Sequence, residues 1–212
     1  KQLRGYGILL AREGFVCLCS SYRLSTEDIW PAQIQDVNCA IRYLRSNHED
    51  LGIDPDRIGI SGNSAGGHLS LMAGLRDYDK SFEGDGGHGE ATSEVKAICA
   101  IYPPAKIRKI ENTDPIIDAY RMLMGDVDQE EYDKASPLLQ IKKDFPPTML
   151  VHGSSDSVVS LEDSTDLYQK LKEENIPAEL HIFSEEDHAF DSARGYGRSV
   201  AELQHLFFRK YL

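Results

Sequence analysis

The sequence predicts an α/β fold, a mostly parallel sheet with helices on both faces, and three observations carry that prediction. Short apolar runs rich in Val, Ile and Leu recur along the 212 residues, bounded by glycine or proline and separated by amphipathic helical patterns. Strand and helix alternate five times with no internal repeat, the order expected of parallel strands joined by helical crossovers. One of those strands runs into Gly62-Asn63-Ser64-Ala65-Gly66 before a helix, a tight turn with a serine at its tip.

Composition narrows the class. Hydrophobic residues make up 41% and charged residues 27%, the balance of a soluble globule, and the length suits one domain spanning 1–212. No apolar run is long enough to cross a membrane and no segment has a signal-peptide pattern, so a soluble protein is expected, cytoplasmic or secreted. The net charge of −12, with no basic stretch, argues against nucleic acid or an anionic membrane as partner. Cys17, Cys19, Cys39 and Cys99 fit neither a zinc nor a disulfide framework and read as buried small hydrophobes. Oligomeric state is not written in the sequence.

Taken in order, residues 1–14 read as a helix closed by Arg12-Glu13-Gly14. Residues 15–20 follow as a buried strand, and Tyr22-Arg23-Leu24 opens a loop that ends near Pro31. Ile34, Val37, Ile41 and Leu44 form one stripe of a helix that stops near Asn47. Beyond the 52–56 linker come the strand Arg57–Ser61, the serine turn, and a helix to about Leu75. Residues 76–94 are a polar, acidic loop. Asp77, Asp79, Ser81, Glu83 and Asp85 have some look of a calcium loop, but Phe82 stands where that loop needs glycine, so no metal is expected. Residues 95–102 form the next strand, closed by Pro103-Pro104. Residues 105–137 mix short helices and turns, the pattern of a lid or cap insertion, in which Tyr120 and the 122–124 region, with nearby Tyr102, either line a pocket or pack the core. Pro146-Pro147 precedes a strand at 148–151 that runs into His152-Gly153-Ser154-Ser155-Asp156. Ser160 caps a helix carrying Leu161, Leu167, Tyr168 and Leu171. A last strand at 178–183 leads to His188, and Val200, Leu203, Phe207 and Tyr211 share a face of the final helix.

Ser64, Asp156 and His188 thus each follow a strand's carboxyl end, where parallel sheets collect their chemistry. A serine hydroxyl needs an imidazole to take its proton, and the imidazole needs a carboxylate to orient it and stabilise its cation. Those are the roles expected of Ser64, His188 and Asp156. The Ala65 N–H, at the positive end of the following helix, is expected as an oxyanion donor. Side chains at Gly62 and Gly66 are expected to collide across the turn. Asp163, Asp187 and Asp191 stand near enough in sequence to substitute for Asp156, with Asp187 read as a solvated carboxylate. His68, one helical turn past Ser64, reads as a packing residue. No cofactor is implied.

At these residues the chain resembles the α/β-hydrolase superfamily, and within it the esterase branch of hormone-sensitive-lipase-like enzymes and bacterial acetyl and feruloyl esterases. The resemblance is carried by Gly62-Asn63-Ser64-Ala65-Gly66-Gly67-His68, Tyr22-Arg23-Leu24, the 52–58 segment Gly-Ile-Asp-Pro-Asp-Arg-Ile, Ala135-Ser136-Pro137, Pro146-Pro147 and His152-Gly153-x-x-Asp156. It implies a Ser64, His188, Asp156 triad, an acyl-enzyme and cofactor-free hydrolysis of short-chain acyl or aryl esters, acetylated or feruloylated carbohydrates among them. The chain departs from the family in one respect: no His-Gly-Gly motif stands ahead of Tyr22-Arg23-Leu24, and Gly5 and Gly7, inside the predicted helix, replace it poorly. The resemblance therefore implies a sheet lacking N-terminal strands, with a gap between the 15–20 strand and the serine strand, or one that has closed up with half an oxyanion hole. Two alternatives follow: a serine peptidase of the prolyl-oligopeptidase type, and a non-catalytic α/β-hydrolase scaffold.

Overall fold

The computed structural model describes residues 4–76, 79–109, 115–193 and 195–212. Its sheet contains β1 (Gly59–Asn63), β2 (Ala97–Ile101), β3 (Thr148–Gly153) and β4 (Ala178–Phe183), side by side in that order and all parallel. The helices are α1 (Arg4–Arg12), α2 (Ala32–Ser46), α3 (His48–Leu51), α4 (Ala65–Met72), α5 (Pro115–Met124), α6 (Gln129–Lys134), α7 (Pro137–Gln140), α8 (Leu161–Glu173), α9 (Phe190–Ala193) and α10 (Gly197–Tyr211).

Strand alternation builds two cores. Ile98, Ala100 and Leu150 face one layer, where they meet Ile34 and Ile41 of α2, Leu69 and Leu71 of α4, and Leu167 and Leu171 of α8. Ala97, Cys99, Ile101, Met149 and Val151 face the other and meet Leu10 of α1 with Val200, Phe207 and Phe208 of α10. Both faces of β2 and β3 are therefore dry, which is why those strands read as unbroken apolar runs. The register sets Asn63 beside Ile101 and Gly153 beside Phe183. Everything that leaves β1, β3 and β4 at their carboxyl ends consequently emerges along one edge.

The strand expected at 15–20 is not formed. Val16 through Ser20 are exposed and Phe15 is half-buried. A strand needs a neighbour to receive its N–H and C=O groups, and a cavity of about 430 Å3 separates this segment from β1. Val37, Ile41 and Leu44 of α2 line that cavity, as do Leu10 and Phe208 from the opposite layer. Among the described residues β1 pairs only with β2. Gln204 also lines the cavity, fully buried, and among the described residues neither of its amide atoms has a hydrogen-bond partner. The apolar run at 15–20 had pattern without a partner. Its cysteines are correspondingly exposed rather than buried, whereas Cys99 is buried and Cys39 half-buried with its Sγ 2.8 Å from Gly86 O.

Arg23 explains its own motif: its guanidinium grips Asp36 of α2 through Nε and Nη2, at 3.0 and 2.9 Å, fastening the loop to the helix. Buried Arg42 of α2 holds the 80–94 loop through the Glu83 carboxylate at 2.6 Å and Gly87 O at 3.1 Å. In that loop Asp79 caps a short 3-10 turn by accepting from Ser81 N–H at 2.9 Å, and Asp77 lies outside the described residues. Of the predicted 105–137 insertion, residues 110–114 lie outside the description. The remainder is anchored in the main core by Tyr120, Met124 and Tyr132, with Met122 exposed. No helix among the described residues is long and apolar enough to cross a membrane.

Candidate active site

The serine turn is strained, and neighbouring contacts hold it there. Ser64 has φ 53° and ψ −119°, left-handed backbone that a side chain rarely adopts. Its N–H donates to Ile101 O at 2.9 Å, tying the turn to the end of β2. The crowding across the turn is one-sided. A Cβ built on Gly62 would stand 2.2 Å from Gly66 O, but one built on Gly66 meets nothing within 4 Å. The expected collision at Gly66 is therefore corrected: its backbone, not an absent side chain, is what presses on Gly62. Ala65 opens α4 and is exposed, and its N–H, in the first helical turn, has no acceptor within the helix.

The three predicted side chains come together. His188 Nε2 lies 3.0 Å from Ser64 Oγ, and His188 Nδ1 lies 2.8 Å from Asp156 Oδ2. With Nδ1 protonated toward the carboxylate, Nε2 is the acceptor for the serine hydroxyl. The Asp156 side chain is fully buried. Burial pushes its acidity toward the neutral acid, but hydrogen bonds from His152, His188 and the Val159 and Val158 N–H groups outweigh this and hold the carboxyl well below the ordinary range. Val158 and Val159 donate to Oδ1 at 2.9 and 2.8 Å, leaving Oδ2 for the imidazole.

The other acids near the site have different work. Asp187 is exposed, as expected of a solvated carboxylate, and it also fastens two loops by accepting from Ser157 N–H and Oγ, both at 2.8 Å, and from His188 N–H at 2.7 Å. Buried Asp163 accepts from the Ala105 and Lys106 N–H groups at 2.8 and 2.9 Å. His68 packs away from the serine. Its ring lies against Trp30 at 5.6 Å and its Nε2 is 2.7 Å from Ala135 O; burial lowers its pKa to about 4.

Sequence reasoning gave His152 no chemistry and read Tyr102 only as pocket lining or core packing. His152, fully buried at the end of β3, sets Nε2 3.3 Å from Asp156 Oδ2 and 3.0 Å from Val159 O, while its Nδ1 is 2.7 Å from Ser164 Oγ. Its spacing of four before Asp156 was the available signal. Tyr102, left-handed at φ 37°, lays its ring 4.6 Å from the His188 ring, and its phenol donates to buried Asp191 at 2.6 Å. Burial first, then the bond to Asp191, push that phenol well above the ordinary tyrosine range, so it remains a donor. No sequence spacing announces this contact.

Residues 4–171 match the BD-FAE family. The chain is 32% identical to the esterase LipC of Mycobacterium tuberculosis over 81% of its own length and 44% of that protein. It is 31% identical to the probable carboxylic ester hydrolase LipM of the same organism over 93% of its length and 48% of the relative. It thus spans about half the length of these curated relatives. Among solved structures, a truncated carbohydrate esterase from gut microbiota superposes with a TM-score of 0.83 at 30% identity, over 97% of this chain and 77% of the other. An acetyl ester-xyloside bifunctional hydrolase from Caldicellulosiruptor lactoaceticus gives 0.82 at 29%, over 96% and 74%.

Proposed function

The chain belongs to the BD-FAE family, within the hormone-sensitive-lipase-like esterase branch of the α/β-hydrolases, and from that premise we propose that it is a serine carboxylesterase of short acyl esters. The observation that supports this is the unbroken relay from Ser64 Oγ through both ring nitrogens of His188 to a buried, ionised Asp156. Ser64 Oγ attacks the ester carbonyl as His188 Nε2 takes its proton. Asp156 stabilises the imidazolium. The carbonyl oxygen becomes an oxyanion facing the Ala65 N–H. His188 then returns the proton to the leaving alcohol, and water, deprotonated by the same nitrogen, releases the acid from the acyl-enzyme.

Acetylated carbohydrates are the proposed natural class, supported by neighbours described as a carbohydrate esterase and an acetyl ester-xyloside hydrolase. The exposed side of the described part of the 105–137 segment, Met122 included, is proposed to cap the acyl site, with Tyr120, Met124 and Tyr132 fixed in the core. The test is p-nitrophenyl acetate hydrolysis by purified protein. Ser64→Ala is expected to lower it by at least about 10⁴-fold and to abolish fluorophosphonate labelling. Hydrolysis unaffected by that substitution sinks the assignment.

A further inference from the structure

Asp191 is buried, three residues past His188, at the start of α9. Its carboxylate gathers side chains from three other places in the chain. Oδ2 accepts from Tyr6 Oη of α1 at 2.5 Å and from Asn63 Nδ2 at 2.9 Å, and Oδ1 accepts from Tyr102 Oη at 2.6 Å. Asn63 Nδ2 also donates to Tyr102 Oη at 2.7 Å. Asn63 directly precedes Ser64, and the Tyr102 ring packs against the imidazole with centroids 4.6 Å apart and the planes tilted by 57°. Tyr102 holds an unfavourable left-handed backbone, secured at one end by its N–H to Val151 O at 2.7 Å and at the other by the phenol. Without Asp191, the half-buried Tyr6 phenol and the buried Tyr102 phenol would lose their acceptor and the Tyr102 ring its anchor.

We propose that Asp191 is a positioning residue, whose carboxylate fixes Tyr102 against the His188 ring and Asn63 beside Ser64, and so keeps Nε2 within hydrogen-bond reach of the serine. This rests on the esterase reading. Asp191 touches no reacting atom; it acts through Tyr102.

The test is kinetic and spectroscopic. Asp191→Ala and Tyr102→Leu are each expected to lower kcat for p-nitrophenyl acetate about tenfold, with KM changed by less than about twofold. The double variant should fall no further than the worse single one, since both act through one ring placement. Unchanged kcat, a loss confined to KM, or losses that multiply would overturn the proposal. Asp191→Asn keeps the shape and one acceptor oxygen; it is expected to recover part of kcat and serves if the alanine variant does not fold. The His188 ring-proton NMR resonances should shift in Asp191→Asn and Tyr102→Leu relative to the parent protein, because the tyrosine ring current acts on them. Unmoved resonances overturn the proposal even if the parent hydrolyses no ester, a result that would count against the esterase reading alone.

Discussion

The difference between Gly62 and Gly66 shows how one residue can carry a whole turn. With Gly66 O only 2.2 Å from where a Gly62 Cβ would stand, Gly62→Ala must separate the end of β1 from the start of α4. It is expected to cost about 2–3 kcal/mol in urea melts, the range of an overpacked core. Gly66→Ala meets open space at a helical position, so it is expected to be neutral or to stabilise by up to about 1 kcal/mol. Equal losses for the two would refute the one-sided crowding. Asp156→Asn leaves a side chain of the same shape that cannot hold the required imidazole tautomer, so kcat is expected to fall about 10⁴-fold in steady-state assays while KM hardly moves. Ser64, Asp156 and His188 were legible because each motif lies at a strand end, and chain order plus strand topology brings such ends together. Asp191, Tyr102 and Asn63 were not, because their bonds join distant segments through side-chain reach, which spacing does not encode.

Among the elements, β1 through β4 and the helices α1, α2, α4, α8 and α10 were readable from their apolar pattern because each turns apolar residues to a core, whereas α3 and α9, of four residues each, are too short to show a period. The 15–20 segment was misread for the complementary reason: an apolar run states what a strand would bury, but pairing is decided by what lies alongside. The packing of α4 against the segment before α7 carries a pH signature. His68 is buried against Trp30 and donates to Ala135 O, with a folded pKa of about 4 against about 6.5 for an unfolded histidine. Between those values the unfolded chain binds a proton that the folded one refuses, so stability rises with pH across that window. The contribution is complete above about pH 6.5 and is lost as pH falls toward 4. Acidifying from pH 7 to 4.5 is expected to remove about 2 kcal/mol through this group. His68→Gln can keep a donor for Ala135 O without titrating, and its denaturation midpoint should depend less on pH over that interval. An unchanged slope would mean that the proton is taken up without opening this contact. Asp156 acts in a separate, more acidic window: its depressed pKa supports the fold above about pH 4, and that support fades as pH falls below the ordinary carboxylate range.

At the scale of the whole molecule, the cavity beside β1 divides the sheet unequally. β2 and β3 have a strand on each side and helices on both faces, so their backbone bonds open only when both cores do. β1 has β2 on one side and the 430 Å3 cavity on the other, where buried Gln204 has no partner for either amide atom among the described residues. A strand that borders a void loses contacts on that side and opens more cheaply. Native-state hydrogen exchange is therefore expected to show the slowest amides in β2 and β3, with β1 exchanging at least about tenfold faster, a difference near 1.4 kcal/mol in opening free energy. Protection of β1 equal to that of its neighbours would mean that the cavity costs the sheet nothing. The same imbalance bears on the chemistry, since β1 delivers Ser64 whereas β3 delivers Asp156. Asp156 is thus anchored in the best-buried part of the sheet, whereas Ser64 and His188 follow β1 and β4, half-buried strands that each pair on one side only among the described residues. The ties that cross from β1 inward, Ser64 N–H to Ile101 O and Asn63 Nδ2 to Asp191, are what the turn has to hold it against that looseness. Weakening either is accordingly expected to raise exchange at the serine turn before it affects global stability.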